Sequence, residues 1–162
     1  FAPINKGLRE LDALDGVIAK GAFMHSISLE VAVVSALDTP YNNAVYGIQV
    51  CNAASMFLGC TKLKHIIGIL PSGMVADTST LSTMFKSCPM LENIKLYSVK
   101  RNVSFSDSAL ISKESILYCI TNAAPTSAIT ITLHPDAYAR LADDADIVAA
   151  LETQPFISLV SA

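Results

Sequence analysis

Charge is scarce in this chain: Asp, Glu, Lys and Arg together make up 15% of it, against about a quarter of an ordinary soluble domain. With hydrophobic residues at 52%, that scarcity predicts large buried faces or an assembly surface and excludes disorder for most of the chain. The 11 basic residues are scattered along the chain within a net charge of -3. They offer no stripe for phosphates, which argues against a nucleic-acid partner. Long apolar runs are also missing. The longest stretch, Ser28 to Leu37, is interrupted by Glu30 and is too short to span a bilayer, so no transmembrane segment is predicted.

Signatures of chemistry are equally sparse. No Cys-x-x-Cys or Cys/His pair has zinc spacing, and Cys51, Cys60, Cys88 and Cys119 lie far apart. Disulfide, metal and core readings compete for them, and the buried-hydrophobe reading is preferred. His25, His65 and His134 fall in separate segments, none beside a nucleophile or metal motif. Asp143, Asp144 and Asp146 lack the glycine and the closing glutamate of a calcium loop; they read as acids at a helix start. Ser55, Ser82 and Ser87 sit in no Gly-x-Ser-x-Gly elbow. The expectation is a chain with no catalytic residues, no metal and no cofactor.

What is present is a segment that occurs twice. Ser55-Met56-Phe57-Leu58-Gly59-Cys60-Thr61-Lys62-Leu63-Lys64-His65-Ile66 and Thr83-Met84-Phe85-Lys86-Ser87-Cys88-Pro89-Met90-Leu91-Glu92-Asn93-Ile94 share Met-Phe-x-x-Cys-x-x-Leu-x-x-Ile at a shift of 28. An echo of apolar positions at a fixed period signals stacked units, each burying its apolar face against its neighbours. A degenerate copy precedes them, Phe23 to Ala32, at a shift of 34 from Phe23 to Phe57; downstream, Cys88 to Cys119 is a shift of 31.

Within a unit the pattern changes from helical to alternating. Thr78 or Ser79 can start a helix carrying Leu81, Met84 and Phe85, and Pro89 is expected to stop it. Asn93 to Tyr97 then alternates as a half-buried strand. Asn52 is the corresponding start in the preceding unit. Ser112 can cap a helix bearing Ile116, Leu117, Cys119 and Ile120, followed by the cleanest alternating stretch, Ile129 to His134. The last unit runs from Pro135 through Leu141, restarts near Asp143 or Asp144, continues to Leu151, and ends in a strand from Phe156 to Val160. At the other end, Leu8, Leu11, Val17 and Ile18 suggest an amphipathic opening helix.

The 162 residues thus read as one α/β domain, a short right-handed β/α solenoid with a parallel sheet and helical caps. Residues 1–21 form the N-terminal cap, 22–105 the repeats, and 106–162 the final repeats and C-terminal cap. Stacking would place Cys60, Cys88 and Cys119 in one buried column. A chain opening at Phe1 reads as a mature or trimmed fragment, in which a missing export signal is uninformative.

The two central motifs resemble the BspA-like leucine-rich repeats of bacterial surface proteins, and Ser106 to the end is similar to the closing cap of Bacteroides-type members. The resemblance covers most of residues 22–162. It implies a leucine-rich-repeat fold and a non-enzymatic module for adhesion or protein interaction, secreted or at the cell surface, without cofactor or metal. Related repeats in virion proteins imply an alternative, a structural or assembly part. The spacings of 34, 28 and 31, and only two near-identical units, depart from the family's regular array.

Aligned units predict outward rows: Val31, His65, Asn93 and Thr130; Val33, Ile67, Lys95 and Thr132; Ser35, Ile69, Tyr97 and His134. The expected partner-binding residues are therefore His65, Ile67, Asn93, Lys95, Tyr97, Thr130, Thr132 and His134, facing a protein or a glycan. A homo-oligomer is the other partner these apolar outward positions allow.

Overall fold

The computed structural model describes residues 10–11, 23–33, 55–71 and 80–162. In chain order its elements are β1 (Glu10–Leu11), β2 (Val31–Val33), β3 (His65–Pro71), α1 (Thr80–Met84), β4 (Asn93–Tyr97), β5 (Val103–Phe105), α2 (Lys113–Thr121), β6 (Ile129–Leu133), α3 (Pro135–Leu141), α4 (Ala145–Glu152) and β7 (Ile157–Ser161). The class is α/β, and every strand pairing among the described residues is parallel.

The motif residues form the core. Phe23, Phe57 and Phe85 occupy corresponding positions and their rings lie one on another, with centroids 5.5 Å and 6.2 Å apart. Six residues on, Leu29, Leu63 and Leu91 are fully buried, and nine residues on so are Ala32, Ile66 and Ile94. Backbone hydrogen bonds copy themselves at the same spacing. Phe23 N–H donates to Met56 O and Phe57 N–H to Met84 O; Lys64 N–H donates to Glu30 O and Glu92 N–H to Lys64 O. The second residue after each phenylalanine, His25, Gly59 or Ser87, takes a left-handed conformation with φ of 60°, 74° and 59°. This turn ends the preceding segment and redirects the chain toward the strand. The helix before Phe85 accordingly stops at Met84, earlier than Pro89 would have imposed.

The first sheet has the order β1-β2-β3-β4. Its first strand corrects the expectation of an opening helix at Leu11: Glu10 and Leu11 pair in parallel with Val31 and Ala32. Pairing to an available sheet edge outweighs a weak helical pattern there. In β4, Ile94 and Leu96 are buried while Asn93, Lys95 and Tyr97 are exposed, as its alternation requires.

A single sheet running on through Ile129–Leu133 is not what forms. β5, β6 and β7 make a separate parallel sheet, for a reason that starts at Phe105. Its ring continues the phenylalanine stack, 5.3 Å from Phe85, and Ser108 and Ile111 follow at the motif's spacing, both fully buried. The fourth unit is therefore Phe105-x-x-Ser108-x-x-Ile111, not the one centred on Cys119. Where the earlier units would enter a strand, Ser112 caps a helix by accepting the Ser115 N–H at 3.2 Å. Helix α2 then lies along β4. The Ser115 hydroxyl accepts the Ile94 N–H at 3.0 Å and donates to Glu92 O at 3.1 Å, so a side chain meets the backbone groups another strand would have met. Asp107 does the same at the turn. Ser87 N–H donates to its Oδ2, where His25 and Gly59 donate to backbone carbonyls of the next unit.

From this point the layers change composition. Helix α2 succeeds β4 and packs against α4, while β5, which packs against α1, begins the second sheet. Ser112 and Asp144 cap α2 and α4 as read from the sequence. Leu8, Val17, Ile18, Ser35, Asn52, Thr78 and Ser79 lie outside the described residues.

Candidate recognition surface

The outward face of the first sheet is assembled by alternation along β3 and β4. Val31, His65 and Asn93 are register partners, so the first row forms across three strands. Asn93 Nδ2 lies 3.0 Å from His65 Nδ1, so the amide and the imidazole are joined across the two strands. The second row begins as expected, with Val33 opposite Ile67. It then slips. Between His65 and Ile69 the register shifts, so that Lys95 faces Ile69 and Tyr97 faces Pro71; Gly68, at φ 98°, sits in this irregularity. A glycine supplies that conformation without the steric penalty of a Cβ.

Ile67 is 53% exposed and Tyr97 45%, and Lys95 is exposed beside them. The Lys95 ammonium stands 5.9 Å from the centroid of the Tyr118 ring on α2, within reach of a cation–π attraction. Tyr118 thus joins this surface, and no reading of the sequence had placed it there. Its position follows from α2 lying along β4, which the strand alternation alone does not reveal.

The other three expected residues are elsewhere. Thr130 and Thr132 belong to β6, between β5 and β7, and are half-buried. His134 is the N-cap of α3, its Nδ1 accepting the Asp136 N–H at 3.2 Å and lying 3.6 Å from Asp136 Oδ2. These residues share no row with His65, Asn93 or Lys95, because α2 takes the position a fifth strand of the first sheet would need. The shift of 31 from Cys88 to Cys119 produced that misalignment. Phe105, only 20 residues after Phe85, carried the signal that would have corrected it.

The three described cysteines lie in the core. Cys60, Cys88 and Cys119 are free and buried, and Cys51 lies outside the described residues. Cys60 donates to Phe23 O at 2.9 Å and Cys88 to Phe57 O at 3.0 Å, the same bond made one unit apart. Cys119 leaves that column: it sits on α2, and Ser108 stands in line instead, its hydroxyl donating to Cys88 O at 3.0 Å. Burial pushes the Cys60 thiol up to about 11, and the Cys88 and Cys119 thiols to about 12. They are therefore poor nucleophiles at neutral pH.

Lys113 of α2 meets Asp144 at 2.9 Å and Asp146 at 2.6 Å. Those hydrogen bonds raise the ammonium's pKa, and the Lys113 contact holds the Asp144 carboxyl below its usual value. Asp144 also accepts the Asp146 and Ile147 N–H groups, so these acids serve the start of α4. Among the described residues no cluster of three or more His, Cys, Asp or Glu could hold a metal ion, and no helix is long and apolar enough to cross a membrane. Comparison with protein-family models, curated proteins and solved structures returned no match.

Proposed function

We propose that this chain is a non-enzymatic recognition module, a short β/α solenoid of leucine-rich-repeat type that offers the outward face of its first sheet to a protein partner. The observation that carries the reading is the copying of contacts from unit to unit. The phenylalanine stack and the paired Cys60 and Cys88 bonds to Phe23 O and Phe57 O recur in step with the sequence motif. Such repetition favours a rigid scaffold over a pocket. On the displayed face, Ile67 supplies apolar area, while Asn93–His65 and Lys95–Tyr118 are already held by neighbours. Side chains ordered before binding lose less entropy when a partner docks. A glycan is the other ligand class this polar and aromatic mixture accommodates, and a secreted or cell-surface setting goes with the reading.

The test compares the parent chain with a Lys95→Ala/Tyr97→Ala variant against an array of extracellular proteins and glycans, with Glu152→Ala on α4 as a control. A shared set of ligands bound by parent and control but lost in the double variant, at an unchanged melting temperature, is expected. Ligand binding that is indifferent to both substitutions would refute this choice of face.

A further inference from the structure

The outer edge of β7 is built differently from the outer edge of β4. At β4, helix α2 and the Ser115 hydroxyl take up the strand's backbone. At β7 the only strand partner among the described residues is β6. Parallel pairing assigns each backbone group a direction. Ile129 N–H donates to Phe156 O and Ala162 N–H to Leu133 O, and the register Ile129↔Ile157, Ile131↔Leu159, Leu133↔Ser161 turns Ser158 and Val160 toward β6. Ile157, Leu159 and Ser161 therefore point their N–H and C=O groups away from the sheet. The Ile157 N–H is already taken by Gln154 O at 2.9 Å. Among the described residues, what remains outward without a partner is the N–H of Leu159 and Ser161 and the C=O of all three.

Proteins usually protect such an edge with a charged side chain, a proline or a bulge. Ile157-Ser158-Leu159-Val160-Ser161 has no charge and no proline, and its register with β6 runs without a bulge. Leu159 is only partly buried against the core, and Phe156, just before the strand, is 50% exposed.

The geometry points to a second copy of this chain as the occupant: two β7 strands pair antiparallel across a twofold axis centred on Leu159. In that register each Leu159 N–H meets the other copy's Leu159 C=O, and each Ser161 N–H meets the other's Ile157 C=O. The Ile157 N–H, which lies opposite the other copy's Ser161 C=O, is already taken by Gln154 O, so this register pairs both remaining outward N–H groups and leaves only that carbonyl to solvent. The outward set is thus complementary to itself, as an isologous interface requires. Identical strands carry no charges to oppose one another, and the two Leu159 side chains fall on the same face as a cross-strand pair. The pairing engages none of His65, Asn93, Lys95 and Tyr97, so it stands or falls separately from the recognition face.

The experiment is light scattering after size-exclusion chromatography over a concentration series from micromolar to millimolar, joined to residue-resolved amide exchange on the same samples. A mass rising to twice the monomer's is expected, with Leu159 and Ser161 amides becoming protected as concentration rises while Ser158 and Val160 are protected throughout. Ser161→Pro removes an outward N–H and no bond to β6, so it should fold as the parent does and raise the dimer's dissociation constant at least tenfold. A monomer at every concentration overturns the proposal. So does a dimer in which the Leu159 and Ser161 amides exchange as fast as in dilute monomer, since that dimer would use another surface.

Discussion

Alkaline pH should unfold this protein through its thiols, and replacing Cys88 with serine isolates one share of the effect. The Cys88 side chain is fully buried and donates to Phe57 O, and burial raises its pKa to about 12 from an ordinary 9.0. A group whose pKa is raised on folding stabilises the native state fully below its unfolded value, and that contribution is lost as pH climbs toward the folded value. Each pH unit in that window costs about 1.4 kcal/mol per group. Cys88 alone should then remove about 2 kcal/mol between pH 9 and pH 11, a large fraction of a total stability of about 5–15 kcal/mol. Cys60 and Cys119 act in the same direction. Serine fits the site in kind, for Ser26 and Ser108 occupy the corresponding places in the first and fourth units and are buried, and its hydroxyl does not titrate in this range. Urea unfolding followed by circular dichroism at pH 7, 9, 10 and 11, with reductant present, gives the measurement. Groups common to both proteins cancel in the difference. The variant should gain on the parent by about 2 kcal/mol between pH 9 and pH 11. Parallel stability curves would refute the reasoning, because they would mean that the Cys88 thiol ionises as easily in the fold as out of it.

Gly59→Ala should cost about 1–2 kcal/mol in urea unfolding, the penalty for a Cβ in the left-handed conformation. The new Cβ also points directly against the His25 ring, but His25 is exposed and can turn aside. The Gly59→Ala penalty should therefore be nearly the same in a His25→Ala background; if His25→Ala abolishes it, the clash and not the backbone sets the cost. Asp144→Asn keeps an acceptor at the start of α4 while removing the charge that faces Lys113. The Asp144 pKa is lowered in the fold, so its stabilisation is present above the ordinary carboxylate range and disappears as pH falls through the folded value. The melting-temperature gap between parent and Asp144→Asn should be open at pH 6 and should narrow as pH falls below the ordinary carboxylate range; a gap independent of pH would mean that the Lys113 contact contributes nothing.

The parts of the fold legible in sequence are those where one period dominates. Ile94 and Leu96 alternate with Asn93, Lys95 and Tyr97, and the burial of β4 follows; likewise Ile129, Ile131 and Leu133 define the inner face of β6. The helix starts at Ser112 and Asp144 were readable because capping is a local interaction between a side chain and backbone two or three residues away. The sheet assignment of β6 was not readable in this way. Strand alternation tells which side of a sheet a residue faces and nothing about which strand it pairs with, so Thr130, Thr132 and His134 were aligned with β4 by counting from Cys119. What overrode that count was a long-range event, the Ser115 hydroxyl meeting Ile94 N–H and Glu92 O. The slip between His65 and Ile69 is similar: Gly68 could mark it only once β4 is known to supply two residues where β3 supplies four.

The plugs at Asp107 and Ser115 make copy number negotiable in one direction. Between Phe57 and Met84 the chain enters and leaves through contacts that each unit repeats, such as Phe57 N–H to Met84 O following Phe23 N–H to Met56 O. A tandem duplication of residues 57–84 would therefore insert a strand into the first sheet with its hydrogen bonds already specified on both sides. After Ile111 the same insertion has no such place, because the Ser87 and Ile94 N–H groups are already taken by the Asp107 carboxylate and the Ser115 hydroxyl instead of the carbonyls of a further unit. Descendants of this sequence can lengthen the first sheet from within, while the helices and the second sheet stay as they are.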